Sequence, residues 1–158
     1  MRWVLGLWLL LACPSGAQPA IVIEDSDLRV TCLSKSYQID EGPDKFLWSC
    51  GNKDATCVYG YSVIGEAKPR IKWRQALLDF TDSLARSMHM KVLQRGPSNP
   101  GAHQGYELIG KVYDQGDQVW LPARVRTSSF PGGARIYFVT GVGKQADIER
   151  FVTSFRSK

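Results

Sequence analysis

The stretch GYELIGKVYDQGDQVWLPARVRTSSFPGGARIYFVTGVGKQADIERFVTSFRSK, residues Gly105–Lys158, decides the fold. In Tyr106–Asp114 and Gln118–Thr127 apolar and polar side chains alternate, the period of strands with one covered face. A turn at Gln115-Gly116 places Val112 opposite Val119, Leu108 opposite Ala123 and Tyr106 opposite Val125. Glu107, Lys111, Arg124 and Arg126 then share the other face. Pro131-Gly132-Gly133 turns the chain again, and Ala134–Thr140 is the third strand. Beyond it Ile148, Phe151, Val152 and Phe155 recur at helical spacing, so the stretch closes in an amphipathic helix, with Arg156 and Lys158 as cations suited to its C-terminus. The expectation is a meander with Val112, Val119, Leu108 and Ala123 beneath helices and Phe151 and Phe155 packed on the same sheet.

Working outward, Ala20–Ile23 is a short candidate strand, and Leu28, Val30 and Cys32 alternate with Arg29, Thr31 and Leu33 as a second. The polar Ser34–Asp44 segment, with Gly42-Pro43, reads as a loop. A hairpin follows. A turn centred on Lys53 and Asp54 sets Phe46 opposite Tyr61, Trp48 opposite Tyr59 and Cys50 opposite Cys57, all on one face. The opposed cysteines predict a Cys50–Cys57 disulfide, with reduced, buried thiols as the alternative. Cys32 reads as a core residue. After the break at Gly65–Pro69, the spacing predicts a helix over Ile71–Met88, with Trp73, Leu77, Phe80, Leu84 and Met88 as its core stripe and Asp82 and Arg86 paired outside. Lys91–Arg95 is a strand and Gly96–Gly105 a turn-rich loop.

The whole is an α+β domain: an antiparallel sheet of about six strands with an internal helix and a C-terminal helix packed on it. Residues 1–17 have the layout of a signal peptide, with Arg2, an apolar Trp3–Ala12 run and small residues at Ser15 and Ala17 before the cut. Residues 18–27 are a lead-in and 28–158 a single domain. A rival reading takes Leu10–Cys13 as a lipoprotein box with Cys13 lipidated. No later apolar run is long enough to cross a bilayer as a helix. Removing Arg2 lowers the formal charge from +5 to +4, a mild excess without a dense basic block.

Reactive constellations do not emerge. Gly141-Val142-Gly143-Lys144 between a strand and a helix invites a phosphate-loop reading, but Phe138 and Gln145 stand where that motif needs a glycine and a Ser or Thr. His89 and His103 have no second ligand at metal spacing, and Glu24, Asp25 and Asp27 lack the pattern of a calcium loop. The expectation is therefore no catalytic, metal or cofactor residues and no nucleic-acid partner. Lys68, Arg70, Lys72 and Arg74 crowd a helix start, where negative charge is preferred, and with His103 they form the candidate partner surface.

The order of elements, with Gly133-Ala134-Arg135-Ile136-Tyr137-Phe138-Val139-Thr140 followed by Glu149-Arg150-Phe151-Val152-Thr153-Ser154-Phe155, resembles the PsbP-like fold group. The closing strand and helix are similar to those of its small exported bacterial members, the DcrB-like proteins. The resemblance implies a sheet carrying helices and a non-enzymatic accessory or binding role toward a protein partner. It transfers no catalytic residue. Two further readings stand beside it, a periplasmic inhibitor or immunity protein and a thiol enzyme using Cys32.

Overall fold

The structure, a computed structural model, describes residues 21–24, 28–32, 36–42, 45–63, 70–98, 104–129 and 135–157. The leader, Cys13, Lys68 and His103 lie outside the described residues. The elements run β1 (Ile21–Glu24), β2 (Leu28–Cys32), β3 (Ser36–Gly42), β4 (Lys45–Gly51), β5 (Ala55–Val63), α1 (Arg70–Ser87), β6 (Lys91–Ser98), β7 (Gln104–Asp114), β8 (Val119–Ser129), β9 (Arg135–Gly143), α2 (Gln145–Ser154) and β10 (Arg156–Ser157). A seven-stranded sheet has the order β3-β4-β5-β9-β8-β7-β6, and a small sheet β1-β2-β10 stands beside it. The described strand pairs are all antiparallel, so the α+β class with an internal and a C-terminal helix holds.

Two faces of the large sheet are covered, and this corrects the single-face reading of Gly105–Lys158. On one face Leu77 packs with Ile136, and Ala85 packs with Leu108 and Val125, under α1. On the other, Ile148, Phe151, Val152 and Phe155 of α2 pack with Cys57, Tyr59, Tyr137 and Val139. Phe151 and Phe155 therefore oppose Leu108 through the sheet. Ile136-Tyr137-Phe138-Val139 is an unbroken apolar run because β9 is sandwiched, its alternate side chains meeting different helices. Thr81 is a fully buried polar side chain of α1, and its hydroxyl is satisfied by Leu77 O and Thr127 Oγ1, both at 2.6 Å.

Several local expectations shift. Ser36–Gly42 is an edge strand rather than a loop. The β7–β8 register places Val112 opposite Leu121, Leu108 opposite Val125 and Tyr106 opposite Thr127. The turn is longer than Gln115-Gly116: Asp114 Oδ1 accepts from the Gly116 N–H at 2.8 Å, and Gln118 takes φ of 55°. A two-residue slip keeps every side chain on its face, but it carries Val119 beyond the helix, leaving it 44% exposed. Arg156 pairs with Arg29 in the small sheet instead of extending α2. The helix α1 ends as expected near His89, which takes φ of 51° while Met90 N–H donates to Ala85 O, a left-handed helix cap.

The aromatic hairpin has the expected register, with Phe46 opposite Tyr61, Trp48 opposite Tyr59 and Cys50 opposite Cys57. The disulfide does not follow that pairing. Cys50 is bonded to Cys32, with Cα atoms 5.2 Å apart, and Cys57 is a buried free thiol. Opposed residues in a ladder hold their Cβ atoms about 4.5–5.5 Å apart, beyond the usual 3.5–4.5 Å of a disulfide. Cys32 reaches Cys50 from β2, outside that ladder.

Burial pushes the Cys57 thiol from 9.0 up to about 12, with the Asp147 carboxylate adding to the effect. The folded chain thus holds this proton where the unfolded chain releases it. Stability from Cys57 is complete below pH 9.0 and declines as pH rises toward 12. Denaturant titrations should show a loss that approaches about 1.4 kcal/mol per pH unit midway between those two values, and Cys57→Ala should flatten the slope. An unchanged slope would mean that Cys57 does not carry it.

Gly143 explains part of the Gly141-Val142-Gly143-Lys144 sequence without phosphate chemistry. It takes φ of 132°, and a Cβ there would strike the Asp54 carbonyl oxygen, to which the Lys144 N–H donates at 2.7 Å. Gly143→Ala should cost about 1–3 kcal/mol, read as a lower denaturation midpoint.

Candidate functional site

The face under α2 is only partly covered. The helix sits over β9, β8 and β5, while the same face of β6, β7 and the projecting end of β8 stays open. Strand alternation determines what lies there. Ile109, Lys111 and Tyr113 from β7 stand beside Trp120, Pro122 and Arg124 from β8, because Lys111 pairs with Pro122 and Tyr113 with Trp120. The last β8–β9 pair toward this end is Ala123 with Val142, so the Lys111–Pro122 hairpin extends past β9.

A bulge in β6 completes the surface. The register between β6 and β7 shifts between Val92 and Gln94, leaving Leu93 as the extra residue. Leu93 is 60% exposed, Trp120 50% and Tyr113 44%. Leu93, Ile109, Lys111 and Pro122 face Gln145, Ile148 and Glu149 of α2 across a groove of about 150 Å³. The Tyr113 and Trp120 rings lie 5.3 Å apart at its outer end, and Lys91 Nζ stands 5.9 Å from the Trp120 centroid.

The inner wall is a charge cluster. Glu107 Oε1 lies 3.2 Å from both Arg124 Nε and Arg126 Nη2, Arg124 reaches Glu149 at 3.9 Å, and Arg126 Nη1 donates to Val152 O at 3.1 Å. The cluster is mostly covered, with 15–18% of the Glu107, Arg124 and Arg126 side chains exposed. It joins β7 and β8 to the C-terminal half of α2. Glu107→Ala would leave two guanidinium groups without their shared carboxylate. The expected cost in urea unfolding is about 2 kcal/mol, below the 3–5 of a fully buried pair because water reaches these groups. Glu107→Gln should cost less.

Of the residues singled out in the sequence, Lys68 and His103 lie outside the described residues, and the other three are on α1. Arg70, Lys72 and Arg74 begin α1, of which Arg74 is exposed. Leu93, Tyr113 and Trp120 were not singled out in the sequence, although alternation sets Tyr113 on the face of Lys111 and Trp120 on that of Arg124. Among the described residues no group of His, Cys, Asp and Glu is placed to hold a metal ion, and no helix is long and apolar enough to cross a membrane.

Searched by sequence, the chain matches no protein family and no characterised protein. By structure it is similar to cyanobacterial PsbP (CyanoP) from Synechocystis sp. PCC 6803, with TM-score 0.60 at 10% identity over 94% of this chain and 99% of that one. The fold is therefore PsbP-like. A protein from Bacteroides thetaiotaomicron VPI-5482 (TM-score 0.46, 10% identity, 83% and 45% covered) and a protein of unknown function from Pseudomonas aeruginosa (0.38, 13%, 82% and 86%) are more distant.

Proposed function

We propose that this chain is an exported, non-enzymatic accessory protein that holds a protein partner on its half-open sheet face. The observation that carries the reading is the exposure of Leu93, Tyr113 and Trp120 around an apolar groove; with Val119 on the other face of the hairpin they are the large apolar side chains most open to water among the described residues. Tyrosine and tryptophan supply large contact area at interface centres, and fold stability gives no reason to leave them in water.

Export is supported by the leader-like Met1–Ala17 segment and by the Cys32–Cys50 disulfide, which persists in oxidising compartments. The same bond engages the Cys32 sulfur, which counts against the thiol-enzyme reading for that residue. Kinship with the small exported DcrB-like proteins belongs to this proposal and rests on the closing strand and helix. An anchor at Cys13 is the alternative form of the same exported protein.

The test is site-specific photocrosslinking in the cell that makes the protein. Benzoylphenylalanine at Leu93 or Trp120 should give one discrete protein adduct, and the same probe at exposed Arg86 on α1 should not. Equal adducts from all three positions, or none from the sheet face, would refute the proposal. An adduct with a hydrolase or toxin would make the accessory role that of an inhibitor or immunity protein.

A further inference from the structure

The open face carries a charge imbalance that the fold itself does not explain. Lys91 and Lys111 are direct cross-strand partners, and both are exposed. Like charges in that relation oppose each other. The nearby carboxylates are already engaged: Glu107 by Arg124 and Arg126, Glu149 by Arg124 and Gln145, and Asp114 by its own turn. Arg95 reaches Asp82 on the opposite side of the sheet. Among the described residues neither lysine has an ion-pair partner, and Lys91 rests by Trp120.

Resting on the reading that this face binds protein, we propose that its occupant is an extended acidic segment. One apolar side chain enters the groove against Leu93, Ile109 and Pro122, a carboxylate lies between Lys91 and Lys111, and a second apolar side chain covers the Tyr113–Trp120 pair. The spacing follows from the strand. At about 3.3 Å per residue, Lys111 lies about 7 Å and Tyr113 about 13 Å along the chain from Ile109. An extended segment therefore matches the three subsites with alternate side chains: apolar, any residue, Asp or Glu, any residue, apolar. Strand addition at the β6 edge is disfavoured by the bulge at Leu93 and by Pro97, so the segment lies across the face.

The experiment pans the immobilised mature protein against a random-peptide library and measures the recovered peptides by fluorescence anisotropy. Expected winners carry Asp or Glu flanked two residues away on each side by apolar residues, and bind more weakly as sodium chloride screens the lysines. Lys111→Glu should weaken them by about tenfold or more while raising the thermal midpoint by about 1 °C, since it replaces a repulsive cross-strand pair by an attractive one. That opposite movement separates a binding role from a structural one.

Peptides lost on Leu93→Ser but indifferent to Lys111→Glu would overturn the acidic segment while leaving the face a protein-binding site. No enrichment would overturn it too, with the photocrosslinks deciding the broader reading separately. Uptake of the protein by phosphatidylglycerol vesicles with the same lysine dependence would overturn it in favour of a membrane surface.

Discussion

Phe151→Ala is expected to lower the free energy of unfolding by about 3–5 kcal/mol, a large part of the roughly 5–15 kcal/mol that stabilises most domains. Phe151 is fully buried where α2 meets β5, β9 and the small sheet, in the cluster that holds Val30, Tyr59, Tyr137 and Phe155. Truncation removes transfer free energy and leaves a cavity that α2 cannot close without moving the Glu107, Arg124 and Arg126 cluster attached to it. Phe151→Leu, which keeps most of the volume, should cost about 1–2 kcal/mol. Chemical denaturation separates the two, and equal losses would mean that this helix is not a core element.

Opening the Cys32–Cys50 bond should be the second large effect. It closes a segment of sequence separation 18, for which chain entropy suggests about 3 kcal/mol. The double variant Cys32→Ala/Cys50→Ala should unfold at lower denaturant, and hydrogen exchange should rise first in β2, whose other ties are to β1, β10 and α2. A non-reduced digest should yield one peptide joining Cys32 to Cys50 and another with Cys57 as a free thiol. Cys57 should resist alkylation until the chain unfolds, because burial keeps it protonated. A Cys50–Cys57 peptide would overturn this arrangement.

The sequence carried the hairpin of β4 and β5 and the closing helix well, for a shared reason. Phe46, Trp48, Tyr59 and Tyr61 alternate strictly, and Ile148, Phe151, Val152 and Phe155 keep strict helical spacing, so local periodicity alone identifies their inner faces. Ser36–Gly42 was harder. Its composition is that of a loop, and its strand state follows from pairing with β4 at the sheet edge.

The larger difference concerns Glu107, Arg124 and Arg126. Charged side chains on alternate positions read as a solvated face, yet here they neutralise one another under a helix that follows β9. Which helix crosses to which face is a long-range decision that alternation within a strand does not encode. The candidate site was hidden by the same gap. Tyr113 and Trp120 stand on the same face as those charges, and the ten-residue α2, which covers the charges, does not reach them.

One variant tests fold and binding together. Leu93→Ser/Trp120→Ser alters only exposed side chains, so its thermal midpoint should stay within about 2 °C of the parent chain. Benzoylphenylalanine at neighbouring Gln94 should crosslink the partner in the parent chain and lose that adduct in the double variant. A folded double variant that keeps the adduct at parental yield would contradict the assignment of this face as the binding surface.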